Sequence, residues 1–417
     1  MENWTAVRRV LFLTVFIDLL GFGVAVPVLA FCAKQYGASG MTLGLILGSF
    51  SLMQFFFSPV WGRLSDRVGR RPVIIGSLCG NVIGFLTFAF ASSVAALFAA
   101  RIITGIAAAS IPAAQAYISD STDEKSRAKG MAIIGLAFGL GLVLGPPIGG
   151  LLSSFGTDLG ISPSLLPGGA AALLSTTAML MAVFVLPESL KRTSRGPGRE
   201  PDRQIDRQAQ RRWLPIDHET WAIFFRTPEL RLAGSALAVI MCTLASLAPI
   251  LVLVGRDRFG LVAREVGWLL GLMGIVVVIL QFTAVHRLSS RLGDVGAAMI
   301  GAAGLTLGLL LVPMTAARGG LVVATCLMGV GQGLCNPTLS SYISKVAPAS
   351  HRGGILGVAT SLNALARVMG PPIAGLAYDA FRTPGALLSQ AAIVSIAMLL
   401  ALRLVIPARR RAVVVAG

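Results

Sequence analysis

Three ionisable side chains stand inside long apolar runs of this chain: Asp18, Arg101 and Arg367. Holding a charge away from water is expensive, so each carries a functional hypothesis. Asp18 lies about nine residues into its run, near the middle of a membrane-width helix at ~1.5 Å per residue. It shares a helical stripe with Leu11, Thr14, Gly21 and Ala25. A carboxyl in such a place can take up and release a proton near neutrality. Held permanently by a buried arginine, it would instead be a structural pin. Arg101 is the candidate partner in that proton chemistry. Arg367 has no acid at helical spacing in its own run, which leaves it to an anionic group or to interhelical carbonyls and amides.

Polar residues recur around these charges with helical spacing. One stripe reads Arg101, Gly105, Ala108, Pro112, Gln115, Ser119; a second reads Thr325, Gly329, Gln332, Asn336, Ser340; a third reads Thr360, Asn363, Arg367, Gly370. Each advances by three or four residues and so occupies one helix face. Such a face lines either a cavity or a tight helix contact. Small residues packing and amides bonding between helices account for the glycines and serines, but less well for the amides and arginines. The cavity reading is favoured, with Asn81, Gln115, Gln281, Gln332, Asn336, Asn363 and Arg367 as candidate substrate-cavity residues.

The segment Gly62–Arg71, GRLSDRVGRR, is a dense charged turn between apolar runs. Gly62 and Gly69 permit the turn, and Asp66 can face a helix N-terminus or an arginine. Arg67, Arg70 and Arg71 would anchor at a membrane surface. Bare topogenic charge explains the arginines but not the acid between paired glycines, so a conformational lock is the better reading. Gly141, Gly145, Pro146, Gly149 and Gly150 combine a close-packing helix face with a helix break.

No enzyme constellation accompanies these groups. The histidines at 218, 286 and 351 fall in polar loops, without a nucleophile–base grouping or P-loop. The cysteines at 32, 79, 242, 326 and 335 have no paired spacing and read as apolar packing rather than metal ligands or disulfides. No metal and no cofactor is expected.

The elements that must position these residues follow from composition. The 417 residues are 55% hydrophobic and 13% charged, about half the charge of ordinary globular chains. A bilayer crossing takes about 20 apolar residues, and twelve such spans are expected near 9–31, 42–61, 73–91, 94–118, 129–152, 168–187, 230–253, 266–285, 296–314, 320–343, 354–376 and 386–406. The formal charge of +17 would suggest nucleic acid in a soluble protein, but its distribution argues otherwise. With both termini inside, 27 of the 35 Lys and Arg fall on cytoplasmic segments and 6 on outer loops. That is the positive-inside asymmetry plus attraction to anionic lipid headgroups. The expected partners are the lipid bilayer and a small-molecule substrate, with no nucleic acid.

The chain also repeats itself. HRLSSRLGDV at His286–Val295 echoes the Gly62–Arg71 turn; GPPIGG at Gly145–Gly150 returns as GPPIAG at Gly370–Gly375; Tyr117-Ile118-Ser119 returns as Tyr342-Ile343-Ser344. Collinear echoes at one offset imply two six-helix repeats around a central cavity. The expected organisation is an N-terminal half over 1–187, a polar linker over 188–229 in which Trp213–Phe225 would lie as a short interfacial helix, and a C-terminal half over 230–417. The second turn has Ser290 where the first has Asp66, so any lock there would be weaker.

GxLSDRxGRR between the second and third spans resembles the loop motif of the major facilitator superfamily of secondary transporters. GxxxGPxxGG in the fifth span resembles the antiporter motif of drug:proton exporters. The opening DLLGFGVAVPVL from Asp18 and the closing LPES from Leu186 are similar to the twelve-helix drug:proton antiporters, including tetracycline exporters. The resemblance implies an all-α membrane protein with the major facilitator fold, twelve transmembrane helices in two pseudo-symmetric halves. It also implies a monomeric multi-pass protein of the cell inner membrane, exporting a small amphipathic molecule by alternating access, with a proton gradient in place of a cofactor. Tetracycline exporters carry further membrane acids in the third span and second half; here the third span has Asn81 and the C-terminal spans hold no acid, which argues against tetracycline itself. A uniporter or importer on the same scaffold, or a non-transporting scaffold or sensor, remains as the alternative.

Overall fold

The computed structural model of the protein describes residues 4–108, 110–121, 124–188 and 218–416. Among these it is a bundle of helices. In the first half run α1 (Trp4–Gln35), α2 (Gly40–Val68), α3 (Arg70–Ala89), α4 (Val94–Ala107), α5 (Ser110–Ser121), α6 (Glu124–Asp158) and α7 (Leu165–Val185). A short α8 (His218–Arg226) precedes the second half, made of α9 (Pro228–Phe259), α10 (Ala263–Thr283), α11 (Val285–Met314), α12 (Arg318–Val346) and α13 (Arg352–Ala416). Most of the expected linker, residues 189–217, lies outside the described residues.

Eleven stretches are long and apolar enough to cross a membrane among the described residues, and the last, Arg352–Leu404, runs for 53 residues. A straight helix of that length would span more than two bilayers at ~1.5 Å per residue. It does not stay straight: Arg382 has φ 56 and ψ −163 and breaks α13 into two crossings, giving twelve. Helices suit this composition because each satisfies its own backbone without water. Large apolar side chains such as Phe184, Phe282 and Met314 lie exposed on the perimeter, where only lipid can cover them.

The fourth span is where local sequence overrides a continuous helix. Pro112 offers no N–H to the carbonyl four residues back, and its ring clashes there. That residue is Ala108, whose ψ of 61 separates α4 from α5. The neighbouring carbonyls find side-chain donors instead. Ser77 Oγ donates to Ala107 O and Trp61 Nε1 to Ile106 O, both at 2.5 Å.

The start of α1, the end of α7, the start of α8 and the end of α13 lie on one face of the bundle, here the terminal face; the opposite face is the distal one. One buried apolar cluster draws on both halves and includes the distal ends of α1 and α9. A second, smaller cluster gathers residues of α1, α3, α5, α6 and α7 from the first half only. The halves therefore join over the distal side and separate toward the terminal side.

Candidate functional site

Between the halves lies a cavity of about 360 Å³, walled by α1, α2, α4, α6, α9, α10, α12 and α13. Its walls are mostly apolar, with Phe22, Phe50, Phe138, Leu142, Met241 and Met273 prominent. The polar groups facing it are Ser51, Arg101, Gln281, Gln332, Asn336 and Arg367. No acidic side chain lines it among the described residues.

Arg101 is 3% exposed. Its guanidinium carbon sits 5.1 Å from the ring centroids of both Phe22 and Phe50, and those rings lie 5.2 Å apart at 46°. Its Nε is buried with no hydrogen-bond partner. A ring contact is worth about 0.5–2 kcal/mol, whereas removing a cation from water costs several kcal/mol after relaxation. The aromatic pair positions the guanidinium without fully balancing its charge. Arg367 reaches the same cavity from the other half, is exposed there, and has no ion pair among the described residues.

Asp18 is one helical turn toward the terminal face from Phe22 and lies outside the cavity lining. Asn81 Nδ2 donates to Asp18 Oδ1. Asn81, Gln115 and Asn363, expected in the cavity, do not line it, and the reasons are structural. Helix α3 packs outside, against α4 and α7, so its residue 81 is 2% exposed and bonds to Asp18 of α1 instead. The break at Ala108 takes Gln115 off the face it would share with Arg101 in an unbroken helix. Asn363 sits a turn nearer the terminal face than Arg367, with its Oδ1 buried and unpartnered.

The distal side of the cavity is sealed by two interfaces between halves. In α2 against α13, a Cβ at Gly40 would fall 2.6 Å from Gly375 O. In α6 against α10, a Cβ at Gly267 would fall 2.5 Å from Pro146 O. Only glycine allows either approach. Asp379 adds a polar clasp: its carboxylate accepts from Gly40 N at 2.7 Å and Met41 N at 2.8 Å, an acid at the positive end of α2. The glycines of the fifth span face α1, where Gly141 meets Leu19 and Gly145 meets Gly23, while Gly150 meets Ala263 of α10; the helix break expected at Pro146 does not occur, and α6 runs continuously from Glu124 to Asp158. On the terminal side Phe55, Phe56, Leu136, Ile279 and Leu365 are exposed.

The charged turn at the terminal face is a network within the first half. Gly69 takes φ 109 and divides α2 from α3. Arg67 and Arg71 flank it; Gly62, expected to permit the turn as well, lies within helix α2 and faces open space, so Gly69 alone makes the turn. Arg70, expected as a surface anchor, is instead 8% exposed. Its guanidinium meets Asp66 Oδ1 at 2.5 Å, Ser65 Oγ at 3.1 Å and Asp120 Oδ2 at 2.8 Å. Glu188 rather than Asp66 serves the N-terminus of α3, accepting from Arg70 N at 2.9 Å and Arg71 N at 3.2 Å. The second copy holds an ion pair of its own: Lys345 Nζ lies 2.7 Å from Asp294 Oδ2, and Ser341 Oγ donates to the same oxygen at 3.1 Å. The sequence offered a signal for both pairs, because the residue after each Tyr-Ile-Ser echo is charged: Asp120 in one, Lys345 in the other.

A family model for the Major Facilitator Superfamily matches residues 11–261 and 234–416. The chain is 31% identical over 370 residues to the class C tetracycline resistance protein of Escherichia coli, covering 88% of each. It is 27% identical over 375 residues to Multidrug resistance protein 2 of Bacillus subtilis (strain 168), covering 89% of this chain and 88% of that protein. Among solved structures, the human organic anion transporter MFSD10 (TETRAN) superposes with a TM-score of 0.66 at 24% identity, over 96% of this chain and all of that one.

Proposed function

The chain belongs to the major facilitator superfamily, and from that premise we propose that it exports a small amphipathic molecule by alternating access, driven by proton entry. It is a multi-pass membrane transporter and not an enzyme. The observation that carries the alternating-access reading is the asymmetry of the central cavity; the outward direction follows the likeness to the tetracycline and multidrug resistance proteins. Two tight interfaces between halves close the distal side, while among the described residues the terminal side shows no such glycine contact between halves. This is one of the two states that rocking of the halves would exchange. With both termini cytoplasmic, by the distribution of Lys and Arg, it is the inward-facing state of an inner-membrane protein.

In this reading Asp18 carries the proton. Its bond to Asn81 holds the carboxyl beside the cavity and out of the substrate's path, one turn from Phe22 and the Arg101 cluster. Protonation from outside and release inside would set which state the halves prefer. The protein acts as a monomer in the bilayer with the proton gradient as its energy source and no resident cofactor.

Acid-loaded proteoliposomes carrying a trapped pH dye test this directly. Adding a panel of aryl acids, amines and neutral amphiphiles should make at least one member alkalinise the lumen, and only where the protein is present. Binding of panel members without any proton or ligand flux would point instead to a non-transporting sensor.

A further inference from the structure

Arg101 and Arg367 come from opposite halves, line one cavity, and share it with no carboxylate among the described residues. The nearest membrane acid, Asp18, bonds to Asn81 on an outer helix and lies outside the cavity lining. Arg101 is nearly fully buried, aimed into the cavity, and leaves its Nε without a partner. Arg367 has no ion pair. On the cavity wall, Gln332 Oε1 is also buried and unpartnered.

We propose that the cavity is a site for organic anions: molecules with an aromatic or aliphatic body and a carboxylate or sulfonate group, the anionic end held between Arg101 and Arg367. The inference rests on the transporter reading above and names its substrate class. Guanidinium groups match planar oxyanions in geometry as well as charge. The apolar walls and the volume of about 360 Å³ fit an organic body of ordinary ligand size, far larger than chloride or sulfate.

The placement also gives the anion a mechanical role. Closing the terminal side would bring the two halves together around two like charges and strip water from both. An empty cavity resists that step; a bound monoanion shared by both arginines cancels one of the two charges and screens their repulsion. The same interaction that selects the substrate thus favours the occluded state in its presence.

Calorimetric titration of the full chain in lipid nanodiscs tests the idea with matched probes: 2-naphthoate against 2-naphthamide, 2-naphthalenesulfonate against its sulfonamide, 2-naphthyltrimethylammonium, and sodium sulfate alone. The anions should bind at least tenfold more tightly than their neutral partners and the cation. Arg367→Gln should remove most of that preference, weakening the anions at least tenfold more than the amides, and Arg367→Lys should keep part of it. Arg101→Lys serves as a second variant should the Gln variant fail to fold. Equal binding of acid and amide, tighter binding of the cation, no binding of any aryl anion at millimolar concentration, or an equal loss across probes in Arg367→Gln would each overturn the proposal. Sulfate binding as tightly as the aryl sulfonate would overturn the organic body. Anion selectivity without flux would sink the transport reading alone. Proton-coupled flux of neutral or cationic probes with no anion preference would sink this inference alone.

Discussion

Asp294 pairs with Lys345 where, in the first half, Arg70 pairs with Asp120, so the repeat keeps the ion pair and reverses its sign. Asp294 follows Gly293 as Arg70 follows Gly69, and both glycines have positive φ. Lys345 and Asp120 each end a Tyr-Ile-Ser echo. In both pairs the buried member is the one after the glycine: Arg70 and Asp294 side chains are 10% and 4% exposed, against 33% and 67% for their partners. The turn that links the second and third helices of each half is thus tied to the end of its fourth by a charge pair, whichever sign each residue bears.

The burial pattern predicts an asymmetric response to mutation. Lys345→Ala leaves the Asp294 carboxylate buried with, among the described residues, Ser341 as its one hydrogen-bond donor, at a cost of about 3 kcal/mol. Asp294→Asn removes the buried charge and leaves an exposed lysine, costing about 1 kcal/mol. Melting of the two variants in detergent should therefore rank Lys345→Ala as the less stable. The opposite ranking would mean that the lysine, not the acid, is the buried partner in the membrane.

Asp18→Asn should leave the protein folded and able to bind ligand, since the amide can still bond to Asn81, while abolishing transport driven by a pH gradient. Counterflow at equal pH should survive. Uphill export by the Asn variant at the parent rate would assign the proton to another group.

The clasp between Asp379 and the first turn of α2 should hold the distal side shut. Asp379→Asn keeps the shape but loses the charge facing the helix dipole, worth about 0.3–1 kcal/mol. A reporter cysteine at Met41 should then react with an impermeant maleimide about two- to fivefold faster. Unchanged labelling would leave closure to the glycine contacts alone.

Gly267→Val should act on those contacts. Its side chain would meet the Pro146 carbonyl at a distance no packed carbon tolerates, prying α6 from α10. Transport should fall at least tenfold with cavity binding retained; normal transport would show that this interface need not close.

Exchange of one monoanion outward for one proton inward moves two positive charges inward. Each is worth about 2.3 kcal/mol per 100 mV. A potassium diffusion potential, negative on the terminal side, should therefore accelerate export of an aryl carboxylate more than that of its amide. Equal potential dependence for the two would argue that the acid is carried in its neutral form.

Much of this protein was determined by its sequence alone, because the governing signals are local. Apolar run length fixes bilayer crossings, and echoes such as GPPIGG and GPPIAG fix the twofold design. The intramembrane Asp18, Arg101 and Arg367 were visible for the same reason, since a charge in an apolar run needs no partner to stand out. Which of the polar residues meet was decided only by tertiary structure. Helical spacing places Gln115 on the face of Arg101, but the break at Ala108, set by Pro112, turns it away. Asn81 lies at membrane depth like the cavity amides, yet α3 packs outside the helices that wall the cavity, so it serves Asp18 instead. The partners of Arg101 are Phe22 and Phe50, ordinary core residues in any one-dimensional reading. Periodicity reports which residues share a face; which face meets the cavity depends on how twelve helices pack, and that depends on contacts hundreds of residues apart.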